Sequence, residues 1–179
     1  KPIEASALAV RGYVDRMIDD AARLDDITRD RNKLLMAFRS LSRHESTLAH
    51  ASKITADILD SENDGSTEFN KSLSITDKTM REYVDVFNRL FLIENQFAFS
   101  LNPKSGLRVG KMPKRHLTDP SLAIAALGLN VDMLYSDLKL YGLYFEAMCE
   151  RDLSIYIESI GGKLFHYRDY NNREVDAVA

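Results

Sequence analysis

Apolar side chains recur every three or four positions in the first half of the chain, which is the spacing of an amphipathic helix. This pattern predicts helices over residues 3–24, 29–41 and 52–59. A polar stretch over residues 60–72 follows and is predicted to be a surface loop. A fourth helix, with the clearest apolar stripe, is predicted to begin after Thr76, because threonine is a good N-cap.

Two segments near the middle of the chain have the pattern of β-strands. They are Phe91–Phe97 and Leu107–Met112, and the turn-rich Asn102–Gly106 joins them. The predicted order is two helices, a short helix, a fourth helix and two wing-like strands. This is the order of elements in a winged helix-turn-helix. We therefore predict a winged-helix-like domain here.

The pattern changes after His116, and a second small unit is predicted from that point. The predicted elements are helices over residues 121–127, 131–138 and 143–159 and strands over residues 163–168 and 173–179. The long helix is expected to end at Gly161-Gly162. The predicted fold class is thus α+β and mostly helical.

Composition narrows the possible functions. The chain has 179 residues, of which 45% are hydrophobic, and its 24 basic and 27 acidic residues give a net charge of -3. That balance produces no global field to attract nucleic acid, so any such contact needs a local patch. The single cysteine, Cys149, fits a reducing cytoplasm, and no apolar run approaches the length of a membrane helix.

A local basic patch is present in the winged-helix segment. The candidate nucleic-acid contacts on its fourth helix and wing are Lys78, Arg81, Lys104, Arg108, Lys111, Lys114 and Arg115. Lysine and arginine bind phosphates in such domains. However, Glu82 and Asp85 share the helix face and would repel phosphate. A winged helix that contacts protein, or acts as a spacer, is the alternative interpretation.

Acidic residues in the last third of the chain form a second candidate site. Glu146 lies on the predicted long helix, Asp169 in the hairpin turn, and Glu174 and Asp176 on the final strand. Glu174 and Asp176 are two residues apart and so point to the same side of the strand. Carboxylates brought together from a helix and a strand can bind Mg²⁺. The alternative is that these acids are solvated or paired with nearby arginines.

The sequence contains no phosphate-binding loop of its own. Gly110-Lys111 and Gly162-Lys163 are the two Gly-Lys pairs, but a phosphate loop needs a glycine five positions earlier. Ser105 and Ile157 occupy those positions. We therefore expect no cofactor to bind this stretch of chain by such a loop.

Three motifs resemble a known family. The run Lys111–Gly128 is similar to its Pro-Lys and Asp-Pro-x-Leu-Ala signature, Gly142–Leu153 is similar to its following helix, and His166–Asp176 is similar to its Tyr-Arg-Asp and Glu-Val-Asp strand pair. The family is domain of unknown function 4143, which follows the ATPase module in bacterial AAA-type ATP-binding proteins. This domain, which is the C-terminal domain of those proteins, is similar to the PD-(D/E)xK nuclease fold.

The resemblance implies a domain organisation. Residues 1–41 would be a helical connector to a missing ATPase module, residues 42–117 a winged-helix-like domain, and residues 118–179 the N-terminal part of a truncated nuclease-like α/β domain. Glu146 would match the helix acid of the nuclease fold and Asp176 its metal-binding strand acid, as catalytic and metal-ligating residues. The Glu-x-Lys of the next strand has no counterpart before Ala179.

Two functions follow from the resemblance. The preferred hypothesis is a non-ATPase recognition or regulatory region of a cytoplasmic AAA-type ATPase, which binds DNA or a protein partner besides its own ATPase module. ATP and Mg²⁺ would then bind the full-length protein and not these residues. The alternative is a Mg²⁺-dependent nuclease with an incomplete site.

Overall fold

The computed structural model describes residues 2–48, 50–62, 75–100, 112–169, 171 and 173–179. In chain order the helices and strands of these residues are α1 (Pro2–Arg23), α2 (Arg31–Arg43), α3 (Ala51–Glu62), α4 (Asp77–Arg89), β1 (Ile93–Gln96), β2 (Lys114–Leu117), α5 (Pro120–Ala126), α6 (Val131–Ser136), α7 (Leu138–Ser159), β3 (Phe165–Arg168) and β4 (Glu174–Val178). The α+β, mostly helical class is confirmed.

The four helices of the first half lie close to their predicted positions. Thr76 caps α4 as expected, because its hydroxyl accepts a hydrogen bond from the Thr79 amide at 3.2 Å. Asp30 caps α2 in the same way, by accepting from Asn32 and Lys33. The predicted loop over residues 60–72 is corrected at its start, because α3 continues through Glu62; residues 63–74 lie outside the described residues.

The hydrophobic core lies where α1, α2, α4 and α5 pack together. Phe38 of α2 and Phe87 of α4 meet edge to face at its centre, with ring centroids 5.3 Å apart. Ile18, Leu34 and Met80 are fully buried around them. Burial of this apolar surface is the main stabilising term for such a helical layer.

The core crosses the boundary predicted near His116. Helix α5, from the predicted third region, packs against α1 and α2, from the first. The Arg39 guanidinium of α2 also donates to the backbone carbonyl of Ala126, at the end of α5. Residues on both sides of the predicted boundary therefore share one core.

Strands β1 and β2 pair antiparallel, with Ile93 opposite Leu117 and Gln96 opposite Lys114. The second strand was predicted at Leu107–Met112, but residues up to 111 of that segment lie outside the described residues. Strand β2 begins at Lys114, two residues after the end of the predicted strand. The winged-helix assignment therefore stays a prediction.

Helix α7 begins earlier than predicted, at Leu138 instead of Leu143. The carboxylate of Asp137 caps it by accepting from the amides of Lys139 and Leu140, so the helix continues through Gly142. Gly161, with a φ of 79°, ends the segment as expected for a left-handed glycine after a helix. None of the described helices, including α7, combines the length and apolar character needed to cross a membrane.

The predicted C-terminal hairpin is present as β3 and β4. A parallel bridge between Ala98 and His166 ties this hairpin to the chain that follows β1. The His166 amide donates to the carbonyl of Phe97 at 3.1 Å, which strengthens that link. As a result, β4 lies close to β1 and β2 even though it comes last in the chain.

The edge-to-face pair in the core yields a test of the packing. We expect Phe87→Ala to lower the free energy of unfolding by about 3–5 kcal/mol, because it leaves a cavity in contact with Phe38. Phe91→Ala is the matched control, since that ring is 82% exposed, and it should cost less than about 1 kcal/mol. Urea unfolding followed by circular dichroism measures both. Equal losses would contradict the described core.

Candidate metal centre

Strand β2 presents Lys114 and His116 to the same side, because residues two apart in a strand share a face. That side faces helix α7. Lys114 is only 2% exposed, although lysine is rarely buried without a partner. Its surroundings must therefore supply negative charge.

Helix α7 and strand β4 supply that charge. Glu146 and Glu150 lie one helical turn apart on α7 and so share a face. Glu174 and Asp176 lie two residues apart on β4 and share a side, as the sequence predicted. We call these four carboxylates together with Lys114 the Lys114 cluster.

The ammonium of Lys114 contacts all four carboxylates. Its Nζ lies 2.6 Å from Asp176 Oδ1 and 3.2 Å from Glu174 Oε1. It lies further from the helix acids, at 3.8 Å from Glu146 Oε1 and 3.9 Å from Glu150 Oε1. One positive charge thus faces four acidic groups, and the cluster carries excess negative charge when all are ionised.

Burial and mutual repulsion change the proton affinities of these groups. Burial raises the pKa of Glu150 above its usual value, although His116 and Lys114 oppose this shift. Burial also raises the pKa of Glu146, and the charge of Asp176 adds to that rise. For Lys114, burial alone would lower the pKa, but the hydrogen bonds to Asp176 and Glu174 and the charges of Glu150 and Asp176 together outweigh burial and raise it. Lys114 is therefore a cation.

Three of the carboxylates are close enough to bind one metal ion. Oxygens of Glu146, Glu150 and Asp176 all lie within 4.8 Å of one another. Glu150 Oε1 is buried and has no hydrogen-bond partner among the described residues. A buried carboxylate oxygen without a hydrogen bond is costly, and a hard divalent cation would satisfy it. The donor set fits Mg²⁺, Mn²⁺ or Ca²⁺.

The other oxygen of Glu150 is held from the opposite side. Its Oε2 accepts a hydrogen bond from the Ser46 hydroxyl at 3.1 Å and lies 3.4 Å from His116 Nδ1. His116 Nδ1 also lies 3.5 Å from Glu45 Oε1, and its Nε2 lies 3.2 Å from Gln96 Oε1. Glu150 is therefore shared between the Lys114 cluster and a second polar group under β2.

The structure places the two predicted catalytic and metal residues, Glu146 and Asp176, in the same cluster. Asp169, also considered from the sequence, lies elsewhere, because it binds Arg173 at 2.7 Å within the hairpin turn. Glu174 is shared between Lys114 and Arg168, whose Nη1 lies 3.9 Å from Glu174 Oε2. The alternative that these acids pair with nearby arginines therefore applies to Asp169 and in part to Glu174.

Two members of the site were missed from the sequence. Glu150 could have been found, because it follows Glu146 by one helical turn. The role of Lys114 could not have been, because its closest acid, Asp176, is separated from it by 62 residues along the chain. Only the meeting of β2, α7 and β4 in space reveals that contact.

The predicted nucleic-acid contacts fall into four groups. Lys78 and Arg81 are exposed on α4, where Lys78 lies 4.0 Å from Glu82. Lys114 is corrected, because it is buried among carboxylates and does not face solvent as a wing residue would. Arg115 is half-buried, and burial lowers the pKa of its guanidinium. Lys104, Arg108 and Lys111 lie outside the described residues.

The fold and the cluster define an α+β protein that carries a carboxylate and lysine site beneath a two-stranded sheet. Residues 2–132 match the family described as Domain of unknown function (DUF8612), and the chain belongs to that family. No curated protein and no solved structure matches the chain. Lys114 and His116 lie inside the matched residues, whereas the four cluster carboxylates lie beyond them.

The burial of Lys114 yields a test of the cluster. We expect Lys114→Met to lower the free energy of unfolding by about 3 kcal/mol, because it leaves Glu150 buried and uncompensated. Millimolar Mn²⁺ should restore part of this loss, since it supplies the missing positive charge. Lys139→Met, at an exposed lysine on α7, is the control. If Lys114→Met were as stable as the control, the cluster would have no energetic role.

Proposed function

We propose that this protein is a divalent-cation-dependent hydrolase of phosphodiester bonds in nucleic acid. The observation that supports the proposal is the placement of the Lys114 ammonium beside Glu146 and Asp176, where Glu150 Oε1 has no hydrogen-bond partner in the described part of the chain. Carboxylates from a helix and a strand with an adjacent lysine are also the components of the nuclease fold that the sequence resembles. In this proposal Lys114 of β2 takes the role of the lysine of that fold.

Glu146, Glu150 and Asp176 would hold the ion. A divalent ion bound there would supply Lewis-acid polarisation of a phosphoryl oxygen and acidify a bound water. In the hydrolysis, the water oxygen forms a bond to phosphorus and the bond from phosphorus to one sugar oxygen breaks. The water gives up a proton, and the leaving sugar oxygen gains one.

Lys114 has two roles in this proposal. Its ammonium holds Asp176 at 2.6 Å and Glu174 at 3.2 Å, which fixes the side chains of β4 against α7. With the carboxylates neutralised, the same ammonium would be able to donate a hydrogen bond to the attacking water or to a phosphoryl oxygen. Fixed donors of this kind stabilise charge that develops in the transition state.

The first test is cleavage by the protein and its acid variants. We expect Mg²⁺ or Mn²⁺ to support cleavage of single-stranded or double-stranded DNA or RNA by the wild-type chain, and EDTA to abolish it. Asp176→Asn and Glu146→Gln should each lower the rate at least about 100-fold, because each removes a charged ligand. Glu82→Gln, at an exposed acid on α4, is the matched control and should keep full activity.

Two results would overturn the hydrolase proposal. One is the absence of cleavage with any divalent ion on all four substrates. The other is equal activity of Asp176→Asn, Glu146→Gln and Glu82→Gln, which would trace the cleavage to a contaminant. In either case the recognition role would become the preferred function.

A recognition role is the second candidate. We propose that the chain is a recognition or regulatory region of a cytoplasmic AAA-type ATPase that binds ATP and Mg²⁺ through its ATPase module. Large apolar side chains exposed along α6 and α7 favour contact with a protein partner: Tyr135, Leu138, Tyr141, Phe145, Ile155 and Tyr156. The rings of Tyr135, Tyr141 and Phe145 stack in sequence, with centroids 5.8 Å and 6.2 Å apart.

DNA and protein recognition are distinguished by the exposed cations of α4. If the chain binds DNA through this helix, Lys78→Glu with Arg81→Glu should weaken binding and reduce the salt slope by about 2, because two phosphate contacts are lost. Fluorescence anisotropy of a labelled duplex at several salt concentrations measures the slope. Lys139→Glu is the control variant. An unchanged slope in the double variant would favour protein recognition.

A further inference from the structure

The turn between α2 and α3 contacts Glu150 Oε2, the carboxylate oxygen that is not in the Lys114 cluster. Its central residue, Ser46, is 6% exposed and donates its hydroxyl proton to Glu150 Oε2 at 3.1 Å. The Glu45 carboxylate beside it is fully buried and accepts from the Leu117 amide through both oxygens, at 3.1 Å and 3.0 Å. The turn is therefore attached to β2 and to α7 at once.

The backbone of this turn is held in an unusual conformation. Ser46 has a φ of 55°, in the left-handed region that residues other than glycine seldom adopt. Its amide donates to the carbonyl of Arg115 on β2 at 3.1 Å, and this contact helps to hold the strained conformation. Strained residues of this kind persist where the surrounding structure fixes them, and they concentrate at functional sites.

His116 completes the support of Glu150 from β2. Its Nδ1 lies 3.4 Å from Glu150 Oε2 and 3.3 Å from the Ser46 hydroxyl. Its Nε2 faces Gln96 Oε1, while Gln96 Nε2 donates to the backbone carbonyl of Asp176 at 2.8 Å. The ring is thus fixed on both edges, and through Gln96 it also connects to the strand that carries Asp176.

We infer that Ser46 and His116 are positioning residues that hold Glu150 Oε2, so that Glu150 Oε1 points into the Lys114 cluster as a metal ligand. This inference rests on the proposed metal site. The geometry separates the two oxygens of one carboxylate, because Oε2 contacts Ser46 and His116 while Oε1 has no hydrogen-bond partner among the described residues. Partners of a metal ligand commonly change metal affinity 10- to 100-fold when they are removed.

The test measures Mn²⁺ binding, because binding does not require cleavage. The signal of free Mn²⁺ in electron paramagnetic resonance gives the dissociation constant for the full chain. Ser46→Gly removes the hydroxyl but tolerates the positive φ, so we expect Mn²⁺ affinity to fall about 10-fold with no loss of thermal stability. Thr79→Gly, which removes another hydroxyl on the distant helix α4, should leave Mn²⁺ affinity unchanged.

Two replacements of His116 distinguish the contribution of Nδ1 to Mn²⁺ affinity from that of Nε2. Asparagine places a donor near the position of Nδ1, which faces Ser46 and Glu150, and glutamine places one near Nε2, which faces Gln96. We expect His116→Asn to keep Mn²⁺ affinity within about 3-fold of wild type and His116→Gln to lose about 10-fold. A residue that only stabilised the fold would not produce this order at equal melting temperature.

A double-mutant cycle decides whether the effect passes through Glu150. In a Glu150→Gln background, Ser46→Gly should cause no further loss of Mn²⁺ affinity, since the carboxylate that it positions is gone. Additive losses, or wild-type affinity in Ser46→Gly and His116→Gln, would overturn the inference while the metal site itself survived. Failure of the wild-type chain to bind Mn²⁺ would overturn both the inference and the proposed metal site.

Discussion

The buried ammonium of Lys114 is the interaction on which the arrangement of the second half of the chain depends. A cation that is 2% exposed is tolerated only where anions surround it. Those anions come from α7 and β4, which are distant from β2 in sequence. The requirement to neutralise one lysine therefore specifies how a strand, a long helix and a hairpin meet, beyond what apolar packing alone would specify.

Glu150 connects this electrostatic arrangement to the helical core. One of its oxygens faces Lys114, and the other contacts Ser46 and His116. The turn that carries Ser46 follows α2, whose Phe38 packs at the centre of the core against Phe87. The position of the Glu150 carboxylate, a proposed metal ligand, is thus linked to core packing through α2 and a strained turn. A site supported by rigid elements in this way can keep its geometry when an ion or substrate binds.

The family match and the cluster cover different parts of the chain. Residues 2–132 contain the core, the turn at Ser46 and the β2 residues Lys114 and His116. The carboxylates of α7 and β4 lie beyond that match, and so do most of the large apolar side chains that are exposed among the described residues. The proposed hydrolytic site and the proposed partner surface are compatible on α7, because the acids face β2 while the stacked aromatic rings remain exposed.

The sequence by itself determined the approximate positions of the helices, the cap of α4 and the acidic candidates, because these depend on spacing and on residues adjacent in the chain. Thr76 caps α4 where expected, and Glu174 with Asp176 share one side of a strand. Helix α7 starts five residues before its predicted position, because Asp137 caps it there and Gly142 does not interrupt it. Only the tertiary structure decided that Lys114 is a buried partner of Asp176 and that Ser46 holds Glu150. Those contacts join residues 62 and 104 positions apart, and no local periodicity encodes such a distance.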